Sequence, residues 1–315
     1  MERTEKGPFL EVRVVVPPLA LEAVMAWLWD RGALGVQEDW PGLSDEGPVL
    51  SGDPREFSGA ELTAPKDKIE IISFFEDIEQ RDALCAGLND LLQDISQWCP
   101  GAAEATCKTR LLAGKDWVAM SRAHFTPTPI GRGLMVCPPW ERPPEGREVI
   151  WIAPGMAFGT GTHFTTAACL VLLEEALASR EAARVLDVGT GSGILAIAAL
   201  KLGAQVALGV DVDGDALEEA LANAAQNGVL DRFTVSKALP DPLAGPFDIV
   251  LANILAETVV EMAFALRKLL APGGDLIVSG IIHERAEWVA AAMADLGFAP
   301  VRELRDSAWV ATWYR

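Results

Sequence analysis

Apolar positions along the first third of the chain come in short blocks that change period several times. Phe9 to Val16 alternates and then runs β-branched before stopping at Pro17-Pro18, which predicts a strand. Leu21 to Arg31 repeats at helical spacing up to Gly32, and Gly35 to Trp40 reads as a second short strand. Pro41 to Gly59 is polar and rich in glycine and proline, a loop. Lys68 to Phe75 predicts a strand, Ile78 to Ile95 a helix with Leu84, Leu88, Leu91 and Leu92 on one face, and Ala105 to Leu111 a last strand. The order predicts a small α+β unit over residues 1–111, a ferredoxin-like sandwich with helices on one face of an antiparallel sheet.

Residues 112–130 read as a linker. Lys115 to Phe125 is a short amphipathic segment, and Pro127, Pro129 and then CPPWERPPEG mark a connector and domain entry rather than packed core. From 131 to 315 the pattern becomes a regular alternation. Predicted strands are Val149–Ile152, Val185–Asp187, Val206–Val210, Phe233–Ser236, Phe247–Ala252 and Asp275–Ile281. Predicted helices are 167–178, 194–202, 215–227, 257–270 and 284–296. Such βα alternation predicts an α/β domain with a doubly wound, mostly parallel, Rossmann-like sheet. The pair 300–304 and 308–313, joined by a short turn at Arg305 to Ser307, is too tight for a parallel crossover and predicts an antiparallel edge hairpin.

The most informative stretch is RVLDVGTGSGILAIAALKLGAQVALGVDVD, residues 184 to 213. It reads as strand, glycine turn, helix and strand, with Asp187 at the first strand tip and Asp211 at the second. Gly189, Gly191 and Gly193 stand where a bare backbone could approach a ligand. Asp211 lies 22 residues after Gly189, a separation that suits a pair of ribose hydroxyls. The dinucleotide fingerprint G-x-G-x-x-G needs a glycine at 194, where this chain has Ile194. The pattern D-x-G-x-G-x-G resembles instead the first motif of class I S-adenosylmethionine-dependent methyltransferases. A nicotinamide or flavin fold stands as the alternative. Gly155 to Thr166 is a second small, glycine-rich loop before a helix, which is either a binding surface, an N-capping turn built by Thr165 or Thr166, or both.

Composition narrows the setting. Half of the 315 residues are hydrophobic, no segment has the charge and apolar run of a secretory signal, and none is long and apolar enough for a membrane span. A cytoplasmic protein with no membrane partner is expected. The five cysteines, Cys85, Cys99, Cys107, Cys137 and Cys169, form no C-x-x-C pair, which fits reduced thiols and no metal site. A net charge of −19 argues against direct nucleic-acid binding and suits a basic partner, although simple solubility explains the acidity equally well.

Three blocks together are similar to the PrmA family, methyltransferases of large-subunit ribosomal protein eleven. They are GMAFGTGTHFTT (155 to 166), DVGTGSGILAIAALKLGA with GVDVD, and LANILAE (251 to 257) followed by LLAPGGDLIVSGII. DWVAMSRAHFTPTPIG (116 to 131) resembles the family's interdomain stretch. The resemblance implies S-adenosylmethionine as cofactor, a protein amine as acceptor, and a basic large-subunit ribosomal protein as partner, with residues 1–111 recognising it. It implies cofactor binding at Thr166, Gly189, Asp211 and Asn253. Gly191 and Gly193 belong to the same turn, and Asp187 is placed to face the donor's amino group. Phe164 departs from the family pattern after the histidine of GTGTH and bears on the acceptor entrance.

Methyl transfer from a sulfonium is an in-line displacement, so alignment of donor and acceptor is its main requirement. Asn253 and the carbonyls near it are candidates to position an attacking amine. His163, the histidine of the second loop, is a candidate general base, against the plainer role of a loop-ordering hydrogen bond. His124 and His283 have no partners visible in the sequence. Methylation of another protein's lysine or of a small-molecule amine, and a non-catalytic S-adenosylmethionine-binding module, are the alternatives. A nucleic-acid amino-methyltransferase would show N-P-P-[YF] where this chain has Asn253-Ile254-Leu255-Ala256.

Overall fold

The computed structural model describes residues 9–17, 20–33, 35–39, 69–76, 78–112, 126–152, 163–239, 246–306 and 308–315. Among them, residues up to Thr126 form one compact unit and those from Pro127 onward a second.

The first unit contains β1 (Phe9–Val16), α1 (Leu21–Asp30), β2 (Gly35–Asp39), β3 (Ile69–Phe75), α2 (Arg81–Ile95) and β4 (Thr106–Leu112). Its sheet has the order β2-β3-β1-β4 with every neighbour antiparallel, the ferredoxin-like arrangement that the sequence predicts. Strand alternation puts Leu10, Val12, Val14 and Val16 into the core, where α2 adds Leu84, Leu88, Leu92 and Ile95. The two helices touch, since a β-carbon on Gly87 would lie 2.8 Å from the Trp27 ring. α2 begins at Arg81 rather than at Ile78. Glu11, from the alternate positions of β1, is nevertheless buried. Burial pushes its carboxyl up, but hydrogen-bonded ion pairs from Arg13 (2.8 Å) and Arg110 (2.9 Å) outweigh that and hold it below its ordinary value.

The second unit opens with β5 (Thr128–Ile130), β6 (Leu134–Cys137) and β7 (Glu148–Trp151), a small sheet in the order β5-β6-β7. This corrects two expectations. β5 lies inside the stretch 112–130 assigned to a linker, and the proline-rich region after it frames packed structure. Ile130, Leu134, Val136, Cys137 and Ile150 are all buried. Proline concealed these strands because Pro129 sits on the edge strand, where no ladder donor is required, and Pro138-Pro139 follows β6 directly.

The main sheet contains β8 (Arg184–Val188), β9 (Val206–Val210), β10 (Phe233–Ser236), β11 (Phe247–Asn253), β12 (Leu270–Ile282), β13 (Pro300–Arg305) and β14 (Trp309–Tyr314). Their order is β10-β9-β8-β11-β12-β14-β13. The strands from β10 to β12 are parallel neighbours, β14 runs antiparallel to β12, and β13 closes the edge as the expected hairpin. β12 starts earlier than predicted. Leu270 pairs with Phe247 and Asp275 with Ile249, so Pro272-Gly273-Gly274 falls in a register shift within the strand. The crossover helices are α3 (Phe164–Leu177), α4 (Ile194–Lys201), α5 (Gly214–Gln226), α6 (Ala256–Leu269) and α7 (His283–Asp295). α3 is buried without a break from Phe164 to Leu173, and α4 from Ile194 to Leu200, as befits helices apolar on every side.

Glu174 of α3 accepts from the backbone of Arg132 (2.8 Å) and Gly133 (2.6 Å), fastening the small sheet to this helix. Arg147 donates to the carbonyls of Ile130, Gly131 and Leu134. Asp275, fully buried, receives Arg180 (2.6 Å), Arg315 (2.8 Å) and the Trp313 indole N–H (2.9 Å), which ties the C-terminus into the sheet.

Candidate functional site

The parallel strands β8, β9, β10 and β11 end on one rim, the side of an open α/β sheet where ligands bind. Four segments meet there: the glycine turn after β8, the acidic tip of β9, the end of β11 and the first turn of α3. They enclose a cavity of about 490 Å³, a size suited to a nucleoside-bearing ligand.

The glycine turn is locked to β9. The amides of Gly189 and Thr190 both donate to the Val210 carbonyl, at 2.8 and 3.0 Å. Asp211 then accepts from Gly191 N through Oδ2 (3.0 Å) and from Asp213 N through Oδ1 (3.1 Å). Gly189, Gly191 and Gly193 all have positive φ, at 71°, 50° and 80°, conformations that side chains disfavour. A β-carbon on Gly189 would strike Ile254 Cγ2, and one on Gly193 would lie 3.1 Å from Ala220 Cβ of α5. All three glycines thus answer to backbone conformation, and Gly189 and Gly193 also to protein packing, beside the ligand approach that their place in the turn allows.

β11 ends in Asn253, whose Nδ2 donates to Thr166 Oγ1 at 3.3 Å. Thr166 is fully buried. Asn253 Oδ1 is buried and has no hydrogen-bond partner among the described residues. Such an acceptor inside a ligand-sized cavity is what a donor group on a ligand would satisfy. The turn after it is fixed by Ile254 N donating to Ser279 O (3.2 Å), and Gly280 leaves space for the Ile254 backbone to pass.

Thr166, Gly189, Gly191, Asp211 and Asn253 all line the cavity. Asp187 and Gly193 do not. The Asp187 side chain turns under the loop, where Oδ2 accepts from Thr190 Oγ1 (2.8 Å) and Ala196 N (3.3 Å). It is 1% exposed, and burial pushes its carboxyl up to about 6 against the pull of those two hydrogen bonds. Through Oδ2 it braces the loop from below, while its Oδ1 is buried with no hydrogen-bond partner among the described residues.

His163 also lies off the cavity wall. It is the N-cap of α3, with Nδ1 accepting from Thr165 N (3.4 Å) and 2.7 Å from Thr165 Oγ1, and its ring meets Trp309 edge-on at 5.3 Å. The cap expected at Thr165 or Thr166 thus belongs to His163, and the helix starts at Phe164 rather than Ala167. Phe164 is buried and is not part of the cavity lining. The remainder of the second loop, residues 155–162, lies outside the described residues, as does the amphipathic segment 115–125.

Sequence reasoning did not find Lys237, Val212, Leu239 or Met262 on the cavity wall. Lys237 was within reach, because it directly follows β10, whose tip joins the same rim. Val212 is 89% exposed, an apolar side chain presented to solvent immediately after the acidic strand tip. Among the described residues no group of three or more His, Cys, Asp or Glu could hold a metal ion, and no helix is long and apolar enough to cross a membrane.

Comparison with known proteins places this geometry among relatives. The family model described as ribosomal protein L11 methyltransferase (PrmA) matches residues 8–315. A ribosomal protein L11 methyltransferase from Geobacter metallireducens is 44% identical over 245 residues, covering 77% of this chain and 80% of the relative. One from Syntrophotalea carbinolica is 36% identical over 309 residues, 97% of each chain. The crystal structure of a ribosomal protein L11 methylase from Lactobacillus delbrueckii subsp. bulgaricus superposes with a TM-score of 0.54 at 33% identity, over 61% of this chain and 97% of that one.

Proposed function

The chain belongs to the ribosomal protein L11 methyltransferase (PrmA) family, and on that premise we propose that it methylates amino groups of ribosomal protein L11 with S-adenosylmethionine as donor. The observation that carries the amine reading is the buried, unpartnered Oδ1 of Asn253 in the cavity wall.

The residues fit such a donor. Asp211 spends one lone pair of each oxygen on Gly191 N and Asp213 N, which leaves acceptor capacity for two ribose hydroxyls. Val212, Ala216, Leu239 and Met262 supply an apolar wall for a base. Thr166, Gly189 and Gly191 stand at the turn and α3 and would hold the amino-acid end. When bound, the donor supplies a methyl group on a positively charged sulfur, open to in-line attack.

The chain's own task is alignment. Well-oriented reactants can save roughly 7–11 kcal/mol of barrier. Asn253 Oδ1 accepts a hydrogen from the incoming amine and turns its lone pair toward the methyl, while Thr166 Oγ1 fixes the amide that carries this oxygen. A free lysine titrates near ~10.4, and a site short of water beside a positive charge favours its neutral, nucleophilic form. No side chain of this site then has to act as a strong base.

The first unit, taken as residues 1–111, is assigned recognition of the protein substrate, and the second, taken as 131–315, the methyl transfer. A net charge of −19 favours encounter with a basic ribosomal protein, and a cytoplasmic location goes with that substrate. The test supplies labelled donor to the protein with purified L11 and with lysate depleted of it. Label in L11 lysines or its N-terminal amine is expected. Label confined to another protein or to small molecules would overturn the assignment.

A further inference from the structure

Two of the five cysteines lie against each other in the first unit. Cys85 of α2 and Cys107 of β4 bring their sulfurs to 3.8 Å, a contact in which either thiol can donate, although 22 residues separate them in sequence. Strand register explains the meeting. Cys107 pairs with Val14 and Thr109 with Val12, and directly opposite residues of an antiparallel pair share a face. Both side chains therefore stand on the face where Val12 and Val14 are buried. On α2, Arg81 and Cys85 lie one turn apart and share a stripe. Arg81 Nε donates to Thr109 Oγ1 at 2.7 Å, which laces that same stripe to that same strand face one step along. The two sulfurs are thus brought together by the packing of helix on strand.

Exposure sets this pair apart. Cys99, Cys137 and Cys169 are buried, whereas Cys85 and Cys107 are half-buried. A solute therefore has access to this pair ahead of the other three thiols. Burial, and after it the neighbouring Cys85 sulfur, pushes the Cys107 thiol up to about 12, so Cys107 keeps its proton while both residues are reduced. The first attack on an oxidant then falls to Cys85, which has the exposed Ala86 beside it on α2.

We propose that Cys85 and Cys107 are a reversible disulfide site, closed by small disulfides of the glutathione class and opened again by thiols. A sulfur–sulfur bond is about 2.05 Å long, so the two atoms must close by about 1.8 Å, a displacement on the scale of a side-chain rotation. The Cys85 thiol loses its proton to water and attacks one sulfur of the small disulfide. A mixed disulfide forms and one small thiolate leaves. The Cys85 sulfur then carries no charge, which removes its share of the elevation at Cys107. Cys107 gives up its proton in turn, and its sulfur attacks Cys85 Sγ and expels the second small thiolate. The two released protons end on the two small thiols. Two cysteines are oxidised and one small disulfide is reduced. The product fastens α2 to β4, the strand at the end of the order β2-β3-β1-β4. In a reducing compartment the pair rests as thiols and closes when the small-disulfide level rises.

The test incubates the folded full chain with glutathione disulfide at mildly alkaline pH. Remaining thiols are blocked with iodoacetamide in denaturant, and the cysteines are mapped by mass spectrometry without reduction. The five free thiols are expected to fall to three, five less the pair, with a cross-linked peptide joining Cys85 to Cys107. Dithiothreitol should restore all five. Cys107→Ser should stop at a glutathione adduct on Cys85, because the resolving sulfur is gone. Cross-links to Cys99, Cys137 or Cys169 in comparable yield would overturn the proposal. So would glutathione adducts left side by side on Cys85 and Cys107, or five thiols untouched. The same reaction on the chain unfolded in urea controls for nearness in sequence. A Cys85–Cys107 link that forms there as fast as in the folded chain also overturns the proposal, because the fold would then contribute nothing to it.

Discussion

Asn253 Nδ2 donates to Thr166 Oγ1 at 3.3 Å, a hydrogen bond between residues 87 apart in sequence that joins the tip of β11 to the first turn of α3. It fixes which way the amide faces, because the amino group is engaged and the oxygen is left for the cavity. Asn253→Ala should therefore lower kcat by roughly 10²-fold, the scale of a misplaced reacting group, with a smaller change in KM for the protein substrate. Thr166→Val, which removes only the acceptor that orients the amide, should fall between wild type and Asn253→Ala. Steady-state rates on L11 decide it. A kcat within about twofold of wild type for Asn253→Ala would remove the positioning role.

Asp211 serves the protein before it serves any ligand. Its two oxygens hold Gly191 N and Asp213 N, and so close the glycine turn onto β9. Asp211→Ala should cost roughly 2–4 kcal/mol of donor affinity, since charge-assisted hydrogen bonds contribute about 1.5–3 kcal/mol each and the turn loosens as well. The expectation is a loss of about 30-fold or more by calorimetry, with faster amide exchange at Gly191. Slow exchange at Gly191 in the variant would mean that the turn is held by the Val210 carbonyl alone.

The sequence carried the architecture where periodicity had room to show. Strands β8, β9 and β11 with α4 and α5 between them appear in place, because each spans enough residues for alternation or helical spacing to register. β5 and β6 did not, since three- and four-residue strands flanked by Pro129 and Pro138 look like connector. Asp187 illustrates a different limit. Its place at a strand tip is legible, but the direction of its carboxylate depends on Thr190 Oγ1 and Ala196 N, contacts that exist only once the turn has folded. His163 is a third case: Thr165 and Thr166 are good caps by residue type, yet both lie inside the first turn of a helix that starts earlier than its apolar pattern.

Gly189 is constrained twice, by a φ of 71° and by Ile254 Cγ2 where a β-carbon would lie. Left-handed backbone costs a non-glycine residue about 1–2 kcal/mol, and overpacking adds about 1–3 kcal/mol. Gly189→Ala should thus destabilise the protein by roughly 2–4 kcal/mol in urea unfolding. Adding Ile254→Ala should recover the steric share and leave the backbone share. Strictly additive losses in the double variant would show that the two residues do not oppose each other.

Asp187 gives the fold a pH dependence of unusual sign for a carboxylate. Its folded pKa is raised from 3.8 to about 6, with burial as the main cause. Below about pH 4 both the folded and the unfolded chain carry the proton, and the buried acid is neutral. As the pH rises through about 6, the unfolded chain has already released its proton while the folded one must strand a charge under the glycine turn. Stability is therefore lost on going from about pH 4 to pH 7, by up to about 3 kcal/mol from this group. Asp187→Asn should remove that slope. Its amide oxygen can keep the Thr190 and Ala196 donors, and any cost of its buried NH₂ is the same at every pH. The measurement is the difference in unfolding free energy between variant and wild type across that range. A difference that grows toward neutral pH supports a buried, neutralisable acid. Parallel curves would mean that the wild-type carboxylate is already compensated in its pocket and that the glycine turn stands on a paired charge.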